Sequence, residues 1–256
     1  MEISTEVILF LLLASALAGL VDAVAGGGGL IQLPALLVAM PKTPPAELLG
    51  TNKLPSFLGT ASATASYLRT MRPDFRIAFT MAFPAFIGSA LGATVATLIP
   101  KDAFRPIILF ALMAVLIYTW RKKELGLSDN KRTKSIKTYL IASFFGLLIG
   151  FYDGIFGPGT GSFLMLVLVA LLGFAFFEAS VTAKIVNLAT NLGAILIFGA
   201  NGKIIWTLGL TMALGNVIGG LVGARLAIRG GSQLIRKVFL IVTSLLIIRL
   251  TVDTFF

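Results

Sequence analysis

Gly19-Leu-Val-Asp22-Ala-Val-Ala-Gly26-Gly27-Gly28 is written a second time in this chain, as Gly150-Phe-Tyr-Asp153-Gly-Ile-Phe-Gly157-Pro158-Gly159. The differences 150 − 19, 153 − 22, 157 − 26 and 159 − 28 all equal 131. The same offset, without a gap, carries Glu47 to Glu178, Thr51 to Thr182 and Lys53 to Lys184, and further on Gly88 to Gly219, Gly92 to Gly223 and Arg105 to Arg236. A self-match of this length at one offset marks a duplicated unit. Each unit has an apolar span carrying a carboxylate, a glycine break, a short apolar run and a span bearing a lysine.

The chain has 256 residues, 57% of them hydrophobic and 12% charged, with a mean hydropathy of +0.96. Soluble domains carry about 25% charged residues. The shortage, spread over the whole length, predicts an all-α polytopic membrane protein. The apolar runs are continuous rather than alternating, which argues against a β-barrel. The net charge of +10 does not point to nucleic acid, because the basic residues cluster between apolar spans: 121–137 holds seven of them against Glu124 and Asp129. Such clusters mark cytoplasmic loops. The absence of His and Cys removes thiol nucleophiles, histidine relays and the usual zinc ligands. The first apolar run, 7–24, has an internal partner at 139–155 and reads as structure rather than a signal peptide.

Each unit holds five apolar segments, at 6–25, 26–40, 46–67, 77–99 and 103–120, then at 138–156, 158–173, 178–199, 203–228 and 234–252. The expected organisation is a first repeat over 1–120, a basic cytoplasmic linker over 121–137 and a second repeat over 138–256. The second segment of each unit begins in glycine and is short for a crossing of roughly 20 residues, so it reads as a half-helix or part of a broken one. Pro34, Pro41, Pro44, Pro45 and Pro158 remove donors and stop helices there. This makes about eight full transmembrane helices plus two short or broken ones, 8–10 crossings in all. If the basic stretches 69–76, 121–137 and 228–237 all face the cytoplasm, each unit crosses an odd number of times, the repeats are inverted and both termini lie outside. If the short runs only dip in and out, the halves are parallel and 228–237 faces outward against the rule.

Non-helical backbone at membrane depth survives only where protein or a water-filled cavity surrounds it. The run Gly26, Gly27, Gly28 and Gly29, and its counterpart at Gly157 and Gly159, lets amides face a ligand at the positive end of the following half-helix. Paired broken helices in two related halves point to a midplane substrate site. Lys184, Asn187 and Asn191 share one helical face, as do Lys53, Ser56 and Thr60, with Thr51 and Asn52 beside the first lysine and Thr182 near the second. The bland alternative is that each lysine snorkels to the interface. Asp22 and Asp153 are intramembrane carboxylates, expensive unless paired. Three roles compete for them: counter-ion to Lys53 or Lys184, proton coupling, or capping of the broken helix. Glu47 and Glu178 suit the starts of their spans.

These residues carry a resemblance. Gly26-Gly27-Gly28-Gly29 with Leu33-Pro34-Ala35-Leu36, Gly50-Thr51-Asn52-Lys53, Gly150-Phe151-Tyr152-Asp153-Gly154 with Phe156-Gly157-Pro158, and Thr182-Ala183-Lys184 through Asn187 and Asn191 look like the TauE/SafE family of membrane permeases, over nearly the full length. The nearest likeness is to its branch described only as "probable membrane transporters". The resemblance implies movement of a small anion, such as sulfite, a sulfonate or a carboxylate, across the bacterial inner membrane. Thr51-Asn52-Lys53 becomes Thr182-Ala183-Lys184, so the halves cannot offer identical ligands.

The expectation is therefore a multi-pass secondary carrier of a small anion, not an enzyme, working by alternating access at a site between the repeats. An anion channel and a non-transporting membrane subunit are the alternatives. No cofactor or metal is called for. Coupling to H+ or Na+ and homodimerisation are left open. A dual topology reporter fused after Phe256 is expected to show a periplasmic end; a cytoplasmic signal would favour parallel halves.

Overall fold

The computed structural model describes residues 4–96 and 135–255. The expected segment 103–120, and the linker 121–137 up to its last residues, lie outside the described residues. Eight helical elements run in order among the described residues: α1 Thr5–Ala25, α2 Gly29–Ala39, α3 Pro45–Leu68, α4 Phe75–Ala96, α5 Ile136–Ile155, α6 Thr160–Ala170, α7 Phe176–Ala200 and α8 Trp206–Phe255. There is no strand among the described residues. Helix starts keep the sequence offset: 160 − 29, 176 − 45 and 206 − 75 each give 131.

Local signals explain these ends. Ser4 accepts from the Val7 amide and Ser135 from the Thr138 amide, capping α1 and α5. Pro45 opens α3, where a missing N–H costs nothing. Glu47 and Glu178 occupy the first turns of α3 and α7, at the positive ends of those helices. Pro34 does not stop α2, which continues to Ala39 just ahead of Pro41. Pro84 lies inside α4, and the Thr80 carbonyl that it leaves without its helical donor accepts from Ser143 Oγ of α5 at 3.3 Å.

Among the described residues five helices, α1, α4, α5, α7 and α8, are long and apolar enough to cross a membrane. Four of them carry exposed apolar stripes at spacings of four: Leu9, Leu13 and Leu17; Phe79, Phe83, Ile87 and Leu91; Leu140, Phe144 and Leu148; Leu210, Leu214 and Ile218. Exposed stripes of this kind face lipid. The protein is a multi-pass membrane protein. The remaining long helix, α3, turns Thr51, Asn52, Lys53, Thr60 and Thr64 inward and lies at the centre with α7.

Contacts fix the helix directions. Along α1 and α8, Leu12 meets Gly215, Ala16 meets Gly219 and Leu20 meets Gly223, so the two run parallel. Along α4 and α5, Met81 meets Gly146, Ala85 meets Gly150 and Ser89 meets Gly154, again parallel. By contrast α3 and α7 are antiparallel. Gly50 packs on Phe198 and Lys203 at the end of α7, whereas Tyr67 at the end of α3 packs its ring on Phe177 at 5.8 Å. Helices α3 and α8 are parallel, through Thr51 with Ile205 and Gly59 with Asn216. Each long helix therefore runs opposite to the one 131 residues away in sequence.

The segments 203–228 and 234–252, expected as two spans joined by a basic loop at 228–237, are two helical stretches that meet at Gly231, where the range Trp206–Phe255 breaks without a separate loop. Gly231 takes φ 57° and ψ −160°, a conformation that glycine adopts without a Cβ clash, so a single residue does the work of the loop.

Glycine makes the tight crossings possible. A Cβ on Gly219 would fall inside the Ala16 carbonyl and 2.8 Å from the Leu20 amide. Gly219→Leu is expected to abolish monodisperse protein in detergent. Gly199→Ala, whose nearest neighbour would be the Trp206 ring at 3.4 Å, is expected to keep the wild-type melting temperature. Wild-type melting of Gly219→Leu would contradict the α1–α8 packing.

Candidate functional site

Each unit contributes a helical hairpin whose tip is the glycine break. Helix α1 ends with Gly26 in the left-handed region at φ 74°, its N–H donating to the Asp22 carbonyl at 2.8 Å. The short α2 then returns along α1: Gly28 lies on Ala18, and Gln32 reaches Ser15. In the second unit α5 ends before Gly157 and Gly159, both at φ 85°, and α6 follows.

The tips meet main chain to main chain. A Cβ on Gly161 would lie 2.5 Å from the Gly26 Cα, and one on Gly29 would lie 3.2 Å from the Pro158 Cα. Ser162 Oγ donates to the Ala25 carbonyl at 3.0 Å, binding the start of α6 to the end of α1. The positive N-terminal ends of α2 and α6 thus come together in the protein interior.

The charged residues cross between the units. Lys53 Nζ of α3 lies 2.7 Å from Asp153 Oδ2 of α5 and 2.5 Å from the Asp153 carbonyl oxygen, with both side chains almost fully buried. Lys184 Nζ of α7 lies 2.9 Å from Asp22 Oδ2 of α1 and also donates to the Asp22 carbonyl. Applying the offset to one pair generates the other, with the partners exchanged. Each ammonium thereby sits at the negative C-terminal end of a long helix, and each carboxylate near the positive start of a short one. Asp153 Oδ1 accepts from Thr160 Oγ1 at 2.7 Å; Asp22 accepts from the Gly28 amide and from Thr60 Oγ1 at 3.4 and 3.3 Å. At each tip the formal charges of lysine and aspartate cancel.

Between the tips and the central helices lies a small polar void of about 20 Å³, room for a water molecule. Its charged lining is Asp22, Lys53 and Asp153; its amide and hydroxyl lining is Asn52, Asn187, Asn191, Ser56 and Thr60; its backbone floor is Gly26, Gly29, Gly157, Gly159 and Gly161. Lys53 uses two of its three hydrogens on Asp153, leaving one for the void.

Other residues singled out in the sequence stand elsewhere. Gly27, Gly28, Thr51, Thr182 and Lys184 do not line the void. A Cβ on Gly28 would meet the Ala18 carbonyl at 2.5 Å, so this glycine serves the α1–α2 approach. Thr51 Oγ1 donates to the Glu47 carbonyl and accepts from the Ile205 amide, tying α3 to the start of α8. Thr182 is wholly buried, and its hydroxyl has no partner among the described residues. Asn191 Nδ2 donates to both the carbonyl and the side-chain oxygen of Asn187.

Two features escaped the reading of the sequence. Gly161 corresponds to Leu30 under the offset, so no repetition marked it. Ser15, Gln32 and Asn216 form a buried polar cluster between α1, α2 and α8, with Asn216 Nδ2 2.5 Å from Gln32 Oε1 and Ser15 Oγ 2.7 Å from the Met212 carbonyl. Their counterparts are Gly146, Phe163 and Ala85, so α2 is held by hydrogen bonds that α6 lacks.

Comparison with known proteins bears on the whole chain. Residues 11–250 match the family model described as "Sulfite exporter TauE/SafE". The chain is similar to "Probable membrane transporter protein ORF9" of Sinorhizobium sp., 39% identical over 98% of this chain and 95% of the relative. It is also similar to a "Probable membrane transporter protein" of Haemophilus influenzae, 37% identical over 99% of this chain and 98% of the relative. "Probable membrane transporter protein YfcA" of Escherichia coli K12 is 36% identical over 93% and 87%. No solved structure matches the chain. With a match across both hairpins and the central helices, this chain belongs to the TauE/SafE family of membrane proteins.

Proposed function

We propose that the protein is a secondary carrier of a small anion in the bacterial inner membrane, binding it in the void between the two hairpin tips and exposing it alternately to either side. The observation that carries this reading is the meeting of two short-helix N-termini, one from each half, over a polar void that one lysine hydrogen still faces. Backbone ends of this kind attract anions without a mobile charge. The opposite running of equivalent helices supports inverted halves that exchange conformations. The family description names sulfite, and the reading takes sulfite, a small sulfonate or a small carboxylate as the candidate class, with the void widening around the anion as the halves rearrange.

A thermal-shift panel of sulfite, sulfoacetate, methanesulfonate and acetate on purified protein tests the substrate class; no shift with any of them would remove it. The residues are tested in pairs, because breaking a buried ion pair on one side costs about 3–5 kcal/mol. Lys53→Met alone is expected to lower the melting temperature, and adding Asp153→Asn to recover much of it. That double variant should still lose anion affinity by about ten- to a hundredfold, the loss of one charge-assisted hydrogen bond of about 1.5–3 kcal/mol. Lys184→Met with Asp22→Asn should lose far less, because Lys184 does not face the void. Unchanged affinity in the Lys53 and Asp153 double variant would sink the site.

A further inference from the structure

We propose that the anion enters together with one proton, and that Asp22 is the group that takes it. The inference rests on the reading of the void as an anion site and goes beyond it by naming the coupling ion and its carrier. Two carboxylates line the void, Asp22 and Asp153, but only one ammonium, Lys53; Lys184 stands behind Asp22. Before the anion arrives, charges at both tips are balanced. An added negative charge stands against two like charges in a poorly solvated space, and that repulsion is relieved when one carboxylate becomes neutral.

The two carboxylates are not equally able to do so. The Asp153 side chain is 3% exposed and held at 2.7 Å by both Lys53 and Thr160. The Asp22 side chain is 17% exposed, and its contacts are longer: 2.9 Å to Lys184, 3.3 Å to Thr60 and 3.4 Å to the Gly28 amide. With 17% of its side chain exposed, Asp22 is the carboxylate a proton can reach, converting carboxylate to carboxylic acid with no other bond changed. Lys184 is not stranded by this, since it keeps the Asp22 carbonyl as an acceptor.

Around Asp22 the titratable groups among the described residues come from α3, α5 and α7. From α7 it faces Lys184, and across the void Lys53 of α3 and Asp153 of α5. Tyr67 of α3 donates its hydroxyl to the neighbouring Ala23 carbonyl at 2.8 Å. Helices α2 and α6 contain no charged residue, nor does the stretch 215–223 of α8 that packs on α1.

The test is calorimetric titration of the purified protein with methanesulfonate, whose acid is ionised at every pH used, in two buffers of different ionisation enthalpy. The difference in heat gives the protons taken up on binding, expected to be about one per anion in the wild type. Asp22→Asn with Lys184→Met leaves no unpaired buried charge, and its fold is checked by melting. This variant is expected to bind methanesulfonate with no proton uptake. Uptake retained in the variant, or wild-type binding without uptake, would overturn the proposal while leaving the anion site standing. Binding that requires sodium and takes up no proton would equally overturn it. No binding heat in the wild type would overturn the anion-site reading itself.

Discussion

An ammonium removed from water inside a membrane protein loses several kcal/mol of solvation, and only a close carboxylate with further hydrogen bonds offsets it. Lys53 and Lys184 meet that condition by reaching into the other half of the molecule, each finding both the side chain and the backbone carbonyl of an aspartate at a helix end. The rest of the interior follows. The long helices must stop where they do so that a carbonyl is free for the lysine, and the chain must turn sharply at Gly26 and Gly157 so that the short helices can return. The tips must then touch, because both ion pairs close only when the halves are fully docked.

That docking limits side-chain volume more than polarity. Gly26 and Gly161 approach backbone to backbone, as do Gly88, Gly92, Gly215, Gly219 and Gly223 along the outer helix pairs. In lipid there is no hydrophobic drive between helices, so close contact and hydrogen bonds hold them together. The polar residues of α3 and α7 can stay inside because α1, α4, α5 and α8 shield them and present Leu and Phe outward.

Much of this was legible in the sequence. A fixed offset of 131 residues found the two broken hairpins and their lysine-bearing partners, because their spacing matches even where most side chains differ. Helix ends at Ser4, Ser135 and Pro45 follow from capping chemistry that is local by nature. What could not be read is whatever depends on how the helices cross. The offset makes Asp22 an equally good partner for Lys53 or Lys184; only the antiparallel packing of α3 and α7 selects Lys184. Gly161 and the Ser15–Gln32–Asn216 cluster have no counterparts, so repetition could not reveal them. Gly231 hid for the opposite reason: basic residues around it suggested a loop, whereas one left-handed residue leaves both flanks helical.

The exchange of partners also bears on how the protein is made. Synthesis delivers Asp22 and Lys53 to the membrane before Lys184 and Asp153 exist, 100 residues or more ahead of them. Until the later helices arrive, the early carboxylate and ammonium have only each other, water or the insertion machinery to lean on. The first half is therefore an intermediate in need of shelter, and its release into lipid is tied to completion of the second. A chain whose second half fails to dock leaves two charges at membrane depth without their partners, a costly state.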